Sequence, residues 1–322
     1  MTTPGIGEEL EKLEKWISRW RPVRYALVRA RRATLPGFEG MPIYDVMSFF
    51  IKELLDDRVT MRAAAVAFYL FLALFPGIIF LFTLTPFLPI EGFRAELFLT
   101  MESVLPSSGF KYLYATIDDI TSKPRGGLLS IGFILAFLST ANGINAIMLS
   151  FDKKYEIYKQ RSYLNRVIQA IKLTASLFML LIISIFLIVI GDQIIAWIAV
   201  RLGMTSGLGL MLISLLRWAI LIVLFFLGIG LVYHFGPAVK KKWRLISPGT
   251  SFAALFSLLS SGGFSLFINN FNFYNKVYGS IGAVMVVMIW IYLNALILLI
   301  GFELNSSIRY TSSLKAKLID EE

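Results

Sequence analysis

The chain has no cysteine and a single histidine, His234, among its 322 residues. The first absence excludes disulfides, thiolate nucleophiles and thiolate metal ligands, and the second removes most histidine-built catalytic and metal constellations. Charge is scarce as well: 16% of residues are Asp, Glu, Lys or Arg, against about a quarter in soluble globular domains. Apolar residues take their place, at 57% of the chain with a mean hydropathy of +0.72. That balance argues against a soluble fold. The first forty residues are polar, carry clustered arginines (Arg29, Arg31, Arg32), and show neither an apolar core segment nor a small-residue cleavage site. They do not read as a cleaved signal peptide, so the first apolar span is expected to direct insertion itself.

A hydrocarbon core about 30 Å thick needs about 20 apolar residues of helix. Six uncharged or nearly uncharged runs meet that length: Ala63 to Leu88, Gly126 to Phe151, Leu173 to Gly191, Trp218 to Val239 (with an alternative start near Leu208), Leu245 to Asn275, and Val277 to Phe302. The segments between them alternate in basic content. Lys and Arg number 24 in the N-terminal segment, Lys153–Lys172, Lys240–Arg244 and the C-terminal tail together, against 6 in the alternate loops, with Arg217 inside or beside a span. Basic residues are retained on the cytoplasmic side. The expected fold is therefore all-α and polytopic, with six transmembrane helices and both termini cytoplasmic. The formal charge of +10 records topology rather than nucleic-acid binding. Residues 1–62 form the cytoplasmic N-terminal segment, 63–308 the membrane domain and 309–322 a short polar, mobile tail. Within the first, Met41 to Arg58 interleaves Ile43, Val46, Met47, Phe50, Leu54 and Leu55 with charge at helical spacing, as an interfacial amphipathic helix does. On the opposite side, Phe93 to Thr121 is amphipathic and broken at Pro106–Gly109, which predicts two short helices over the outer mouth.

Several stretches resemble one family. Arg62-Ala63-Ala64-Ala65-Val66-Ala67-Phe68 running into Leu74-Phe75-Pro76 is similar to the opening of the YihY/BrkB family of bacterial inner-membrane proteins. Tyr233 to Pro237, Trp243-Arg244, Pro248-Gly249, Phe264 to Asn275, Tyr278-Gly279-Ser280 with Gly282, Trp290 and Glu303-Leu304-Asn305 resemble its C-terminal half. The likeness covers about residues 43–308. It departs at Gly236-Pro237-Ala238, where the family usually shows Pro-Asn. The resemblance implies a six-helix, multi-pass protein of the bacterial inner membrane. Members have carried the label ribonuclease BN, and the family has been connected with virulence and with envelope lipid homeostasis.

Polar and ionisable residues within spans are costly and tend to face a cavity or a partner, so they are the candidate site. Glu303 ends span six where the helix dipole disfavours an acid, and a basic partner is expected from Arg62 or from Lys240–Lys242. Asp152, beside Lys153 and Lys154, reads as a solvated carboxylate. Arg217 reads two ways. With span four starting near Leu208 it lies about two turns deep, where it binds an anionic headgroup or pairs with Asp192; with a start at Trp218 it snorkels to the outer interface. Asn142, Asn145 and Asn294 supply amides for interhelical hydrogen bonds or for substrate. Asn272 and Asn275, in the amide-and-aromatic run Asn269–Asn275, suit a headgroup or sugar at the outer interface. Pro76-Gly77 and Gly262-Gly263 read as kinks or close-packing points within spans one and five.

Phosphodiester hydrolysis usually needs metal-binding carboxylate clusters or a histidine acid/base pair. With one histidine and with paired acids (Asp56-Asp57, Asp118-Asp119) on opposite sides of the membrane, catalysis is disfavoured and no metal or cofactor is implied. The reading is a transporter or flippase of a lipid or amphipathic envelope precursor, its path lined by Arg62, Asn142, Asn145, Asn294 and Glu303. The alternative is a membrane scaffold or regulator of envelope homeostasis. The expected partners are membrane lipids with anionic headgroups; a homo-oligomer is left open.

Overall fold

The computed structural model describes residues 21–56, 58–87, 98, 114, 117–153, 155–189, 191, 201, 207–269 and 272–320. Two helices precede the membrane domain, α1 (Arg21–Ala30) and α2 (Ile43–Asp56). Six long helices follow: α3 (Val59–Leu84), α4 (Gly126–Ser150), α5 (Tyr163–Val189), α6 (Gly207–Phe235), α7 (Pro248–Asn269) and α8 (Asn272–Asp320). Each contains a stretch long and apolar enough to cross a membrane, six in all. The segment expected to cover the outer mouth, Phe93 to Thr121, lies almost wholly outside the described residues.

The helix ends differ from the limits of the apolar runs, and local chemistry explains where they fall. Helix α7 starts at Pro248, not Leu245. Proline at a first helical position sacrifices a backbone N–H that no helix bond would use, and the Ser247 hydroxyl accepts from the Thr250 N–H at 3.2 Å. Helix α6 takes the earlier of the two starts considered for span four. Helix α5 begins at Tyr163, about three turns before the apolar run at 3.6 residues per turn, so Arg166 and Lys172 stand on a helix and not in a loop. The C-terminal tail is not mobile coil: α8 continues without a break to Asp320, 49 residues in all, or about 74 Å at 1.5 Å per residue. That is more than twice the hydrocarbon thickness. At Tyr310 the helix rests on protein, the ring stacked on Phe49 of α2 at 4.7 Å and tilted against Tyr155 at 4.5 Å between ring centroids, while residues 314–318 beyond are exposed.

The spans form a ring. Each packs chiefly on its neighbours in sequence, most extensively α3 on α4, and α8 closes the circle by packing on α3; α2 lies along α8. The shared core is one-sided. Val66, Ile147, Leu173, Tyr233, Ala253, Leu299 and Phe302, contributed by all six spans, meet near the end that carries α2 and the extension of α8. This is the basic end. There the rings of Phe151 and Phe302 stack at 4.2 Å, with Tyr233 and Trp243 edge-on at 5.9 and 5.5 Å. Towards the other end the described core thins. A Cβ added at Gly77, Gly262 or Gly263 would meet nothing within 4 Å, so these glycines are not close-packing points, and α3 and α7 run through them as unbroken helices.

At the basic end, glycine is required where α7 meets α8. A Cβ at Gly301 would lie 2.7 Å from the Gly249 carbonyl oxygen and 2.5 Å from the Tyr233 hydroxyl. The helices approach closely enough for the Asn305 amide to take the Gly249 N–H on its oxygen (2.8 Å) and to donate to the Ser247 hydroxyl (2.8 Å). Asn305 thereby satisfies one of the orphan N–H groups that begin α7.

Candidate functional site

The basic end holds a set of buried charges drawn from four of the described segments. Arg62 sits in the first turn of α3, Glu303 on α8, Glu53 on α2, and Lys153 just past α4. The Arg62 guanidinium donates to Glu303 Oε1 at 2.8 Å and to the Ser150 carbonyl at 2.5 Å. Lys153 Nζ donates to the other Glu303 oxygen and to Glu53 Oε2, the latter at 2.6 Å. The Tyr155 hydroxyl donates to Glu53 Oε1. Among the described residues two cations face two carboxylates, and the Glu303 side chain is 0% exposed with Lys153 at 4%. Charges this deep persist because each is paired and hydrogen-bonded on several sides.

Arg62 is thus the partner that the position of Glu303 demanded, while Lys240–Lys242 are not. Lys153 and Glu53 were missed. Lys153 read as a solvating neighbour of Asp152, yet it turns inward to Glu303. Asp152 is served instead by Arg166, at 3.6 Å, and burial raises its carboxyl above the ordinary value against the pull of Arg166 and Arg161. Glu53 read as part of the polar face of an interfacial helix; it is 8% exposed. The available signal was numerical: a buried Glu303 beside both Arg62 and a lysine calls for a second carboxylate to balance the charge.

A second layer holds the loops of this end together. The Tyr158 hydroxyl donates to the Ser306 hydroxyl at 2.8 Å, and burial pushes its phenol well above the usual range. Tyr158 bridges Val239 in antiparallel fashion, with the Lys159 N–H on the Ala238 carbonyl at 2.6 Å and the Lys240 N–H on the Ile157 carbonyl at 3.0 Å. The contact uses the backbone carbonyl of Ala238 and so does not depend on that residue's side chain. Arg161 donates to the carbonyls of Gly236 (2.9 Å) and Pro237 (3.1 Å), capping the C-terminus of α6, where the helix dipole favours a cation. Burial lowers its guanidinium, and Asp152 opposes that. His234 binds the Trp243 carbonyl through Nδ1 at 2.5 Å.

The remaining candidates do not converge on this cluster. Asn145 accepts from Arg166 Nε at 3.1 Å and so positions the partner of Asp152. Asn142, three residues earlier on α4, is exposed. Asn294 donates to the Trp290 carbonyl of its own helix at 2.9 Å, a local back-bond rather than an interhelical one. Arg217 lies over Gly191 near the far end of α5; a Cβ there would meet its Cδ at 2.7 Å and Nη1 at 2.8 Å. Its pairing with Asp192 lies outside the described residues. Asn272 and Asn275 stand in the first turn of α8, and their side chains also lie outside the description. Among the described residues, no three His, Asp or Glu side chains converge to hold a metal.

A six-span bundle of this kind, with its motifs in the first, fifth and sixth spans, defines a class of polytopic membrane proteins. The chain belongs to the Virulence factor BrkB family, whose model matches residues 50–320. It is 30% identical over 262 residues to the putative ribonuclease-like protein YfkH of Bacillus subtilis, an alignment that covers 80% of this chain and 94% of that one. A UPF0761 membrane protein of Tolumonas auensis is 26% identical over 294 residues, 90% of this chain and 89% of the relative. UPF0761 membrane protein Smlt0865 of Stenotrophomonas maltophilia is 25% identical over 301 residues, covering 93% of this chain but 65% of the relative. No solved structure matches.

Proposed function

We propose that this protein is a transporter or flippase for a lipid or an amphipathic envelope precursor, set in the bacterial inner membrane with its basic end in the cytoplasm. The observation that carries the reading is the ring of six spans packed in sequence order, whose described core lies at the basic end while Gly77, Gly262 and Gly263 have open space around them. Such a shape suits a vestibule that faces the outer leaflet and is shut on the cytoplasmic side by the aromatic layer of Phe151, Tyr233, Trp243 and Phe302. The excess of Lys and Arg at the basic end, 24 against 6, supports the orientation. In this mechanism Arg62 and Lys153 are the gate. A headgroup phosphate reaching them would replace the Glu303 carboxylate as their anion, one charged partner exchanged for another. Opening then requires no unpaired cation in the membrane.

The reading is non-enzymatic. Among the described residues Arg62, Lys153, Glu53 and Glu303 are paired with one another, and the ribonuclease-like description belongs to the Bacillus relative by its printed name.

The pairing of these charges also favours a second reading, in which they are a permanent clamp and the protein a scaffold for partner membrane proteins. One assay separates them. Purified protein is reconstituted into vesicles with fluorescent phospholipid or a fluorescent isoprenoid phosphate, and leaflet exchange is followed by chemical quenching with and without a proton or sodium gradient. Transport predicts protein-dependent exchange that Lys153→Gln abolishes. Exchange at the rate of empty vesicles under every gradient would leave the scaffold.

A further inference from the structure

Beside the buried charge cluster, the basic end contains an open cavity of about 1100 Å³. It lies between the Leu35–Gly40 loop, the Lys241–Ser247 loop and the C-terminal part of α8. Its charged lining is unbalanced: Lys241, Lys242, Arg244 and Arg309 against Glu39. That carboxylate is already taken, pairing with Arg309 at 2.8 Å. Lys242 lies over the Phe235 ring at 4.5 Å. Among the described residues Lys241 and Arg244 have no carboxylate partner, in contrast to Arg62 and Lys153 a short way off. Two buried donors at this wall also have no acceptor among the described residues: the indole N–H of Trp243, a residue 5% exposed, and Nε of Arg309.

The wall opposite these cations is built, not incidental. Gly37, Glu39 and Gly40 all have positive φ, at 88°, 52° and 77°. That backbone costs energy for a residue with a side chain such as Glu39. The loop is held against α7 so closely that a Cβ at Gly37 would lie 2.7 Å from Pro248 Cγ. The rim is apolar, with Ile246 78% and Leu35 48% exposed, at the level where α7 enters its span.

We infer that this cavity is a binding site for a phosphate-bearing anion, with a lipid headgroup as its natural occupant. Lys241 and Arg244 would supply the charge, Trp243 and Arg309 the directed N–H groups, and Ile246 and Leu35 the surface for the first methylenes of an acyl chain. Arginine offers phosphate a planar fork of donors and lysine a point charge, and basic pockets between helices on the cytoplasmic side suit anionic headgroups. The site is distinct from Arg62 and Glu303, and it stands whether or not the bundle moves lipid.

The test is native mass spectrometry of the full-length chain in detergent, titrated separately with phosphatidylglycerol, phosphatidylcholine and inorganic phosphate. Wild-type protein retains phosphatidylglycerol in preference to phosphatidylcholine, and Lys241→Gln/Arg244→Gln weakens that retention by about tenfold or more, on about 1 kcal/mol for each cation near an anionic surface. Arg29→Gln/Arg32→Gln removes equal charge from the same end outside the cavity and leaves retention unchanged. Binding of inorganic phosphate alone, with the same dependence on Lys241 and Arg244, supports the site while assigning it to a soluble phosphate compound. Equal retention of the two lipids, or equal loss in both double variants, overturns it. Circular dichroism of each variant confirms that the helices are retained.

Discussion

Replacing Glu303 with glutamine removes one buried carboxylate from between Arg62 and Lys153. Breaking a buried ion pair from one side costs about 3–5 kcal/mol, because the partner charge stays buried without compensation. Two features place this substitution at the low end of that range. Lys153 keeps Glu53 at 2.6 Å, and Arg62, 21% exposed, keeps the Ser150 carbonyl. The expected loss is about 3 kcal/mol, or about a hundredfold in the folded-to-unfolded ratio at 1.4 kcal/mol per tenfold. Arg62→Gln alone leaves Glu303 with Lys153 and costs a similar amount. The double variant Arg62→Gln/Glu303→Gln removes a cation together with the carboxylate it faces and keeps the Lys153–Glu53 pair, so it recovers part of the loss, with a coupling of about 1 kcal/mol or more. The assay is a reversible unfolding titration with sodium dodecyl sulfate in mixed micelles, followed by the emission of the six tryptophans. Two results would refute the reasoning: a Glu303→Gln variant within about 0.5 kcal/mol of wild type, the range of ordinary surface substitutions, or a double variant whose loss equals the sum of the singles.

Gly301→Ala forces α7 and α8 apart and is expected to cost about 1–3 kcal/mol or more, whereas Gly262→Ala, with open space around it, gains up to about 1 kcal/mol of helix propensity; thermal unfolding in detergent ranks the two. Arg161→Gln uncaps α6 and should lose about 1–2 kcal/mol by the same titration. The Asp152 carboxyl is raised from 3.8 by burial, so its contribution to stability is full below the unfolded pKa and is lost as pH rises through the folded one. Asp152→Asn should flatten the stability profile through the carboxylate range and be neutral or stabilising at pH 7. Glu156 behaves oppositely, held low by its bond to Lys317, so its contribution is present above its ordinary value and lost as pH falls. Because the chain has no cysteine of its own, single cysteines at Lys315 and at Lys123 report orientation directly: an impermeant maleimide applied outside intact cells should label the second and spare the first, and the reverse pattern would invert the proposed topology.

Hydrophobic runs determined that this chain crosses a membrane six times, because a bilayer sets one length and forbids charge along it whatever the packing. Amphipathic spacing likewise gave α2 to within two residues of its limits, since an interface sorts side chains by the helical period. A dipole argument at the end of span six called for a cation at Glu303, and Arg62 answered it. What no span revealed by itself was the company those residues keep. Lys153 and Glu53 are 100 positions apart in sequence, and each looked solvated beside its own neighbours; only the ring, which brings α2, α3, α4 and α8 to one end, makes them a single buried unit. The continuation of α8 past Thr311 was hidden for the same reason. Its polar sequence does not bury itself; Phe49 and Tyr155 from other segments hold Tyr310 in place. The cavity lined by Lys241 and Arg244 belongs wholly to the tertiary structure. In the sequence these residues only add to the basic count of one side of the membrane domain. Folded, they face a loop from the other end of the chain whose carboxylate is already paired, and that leaves their charge to be met by something else.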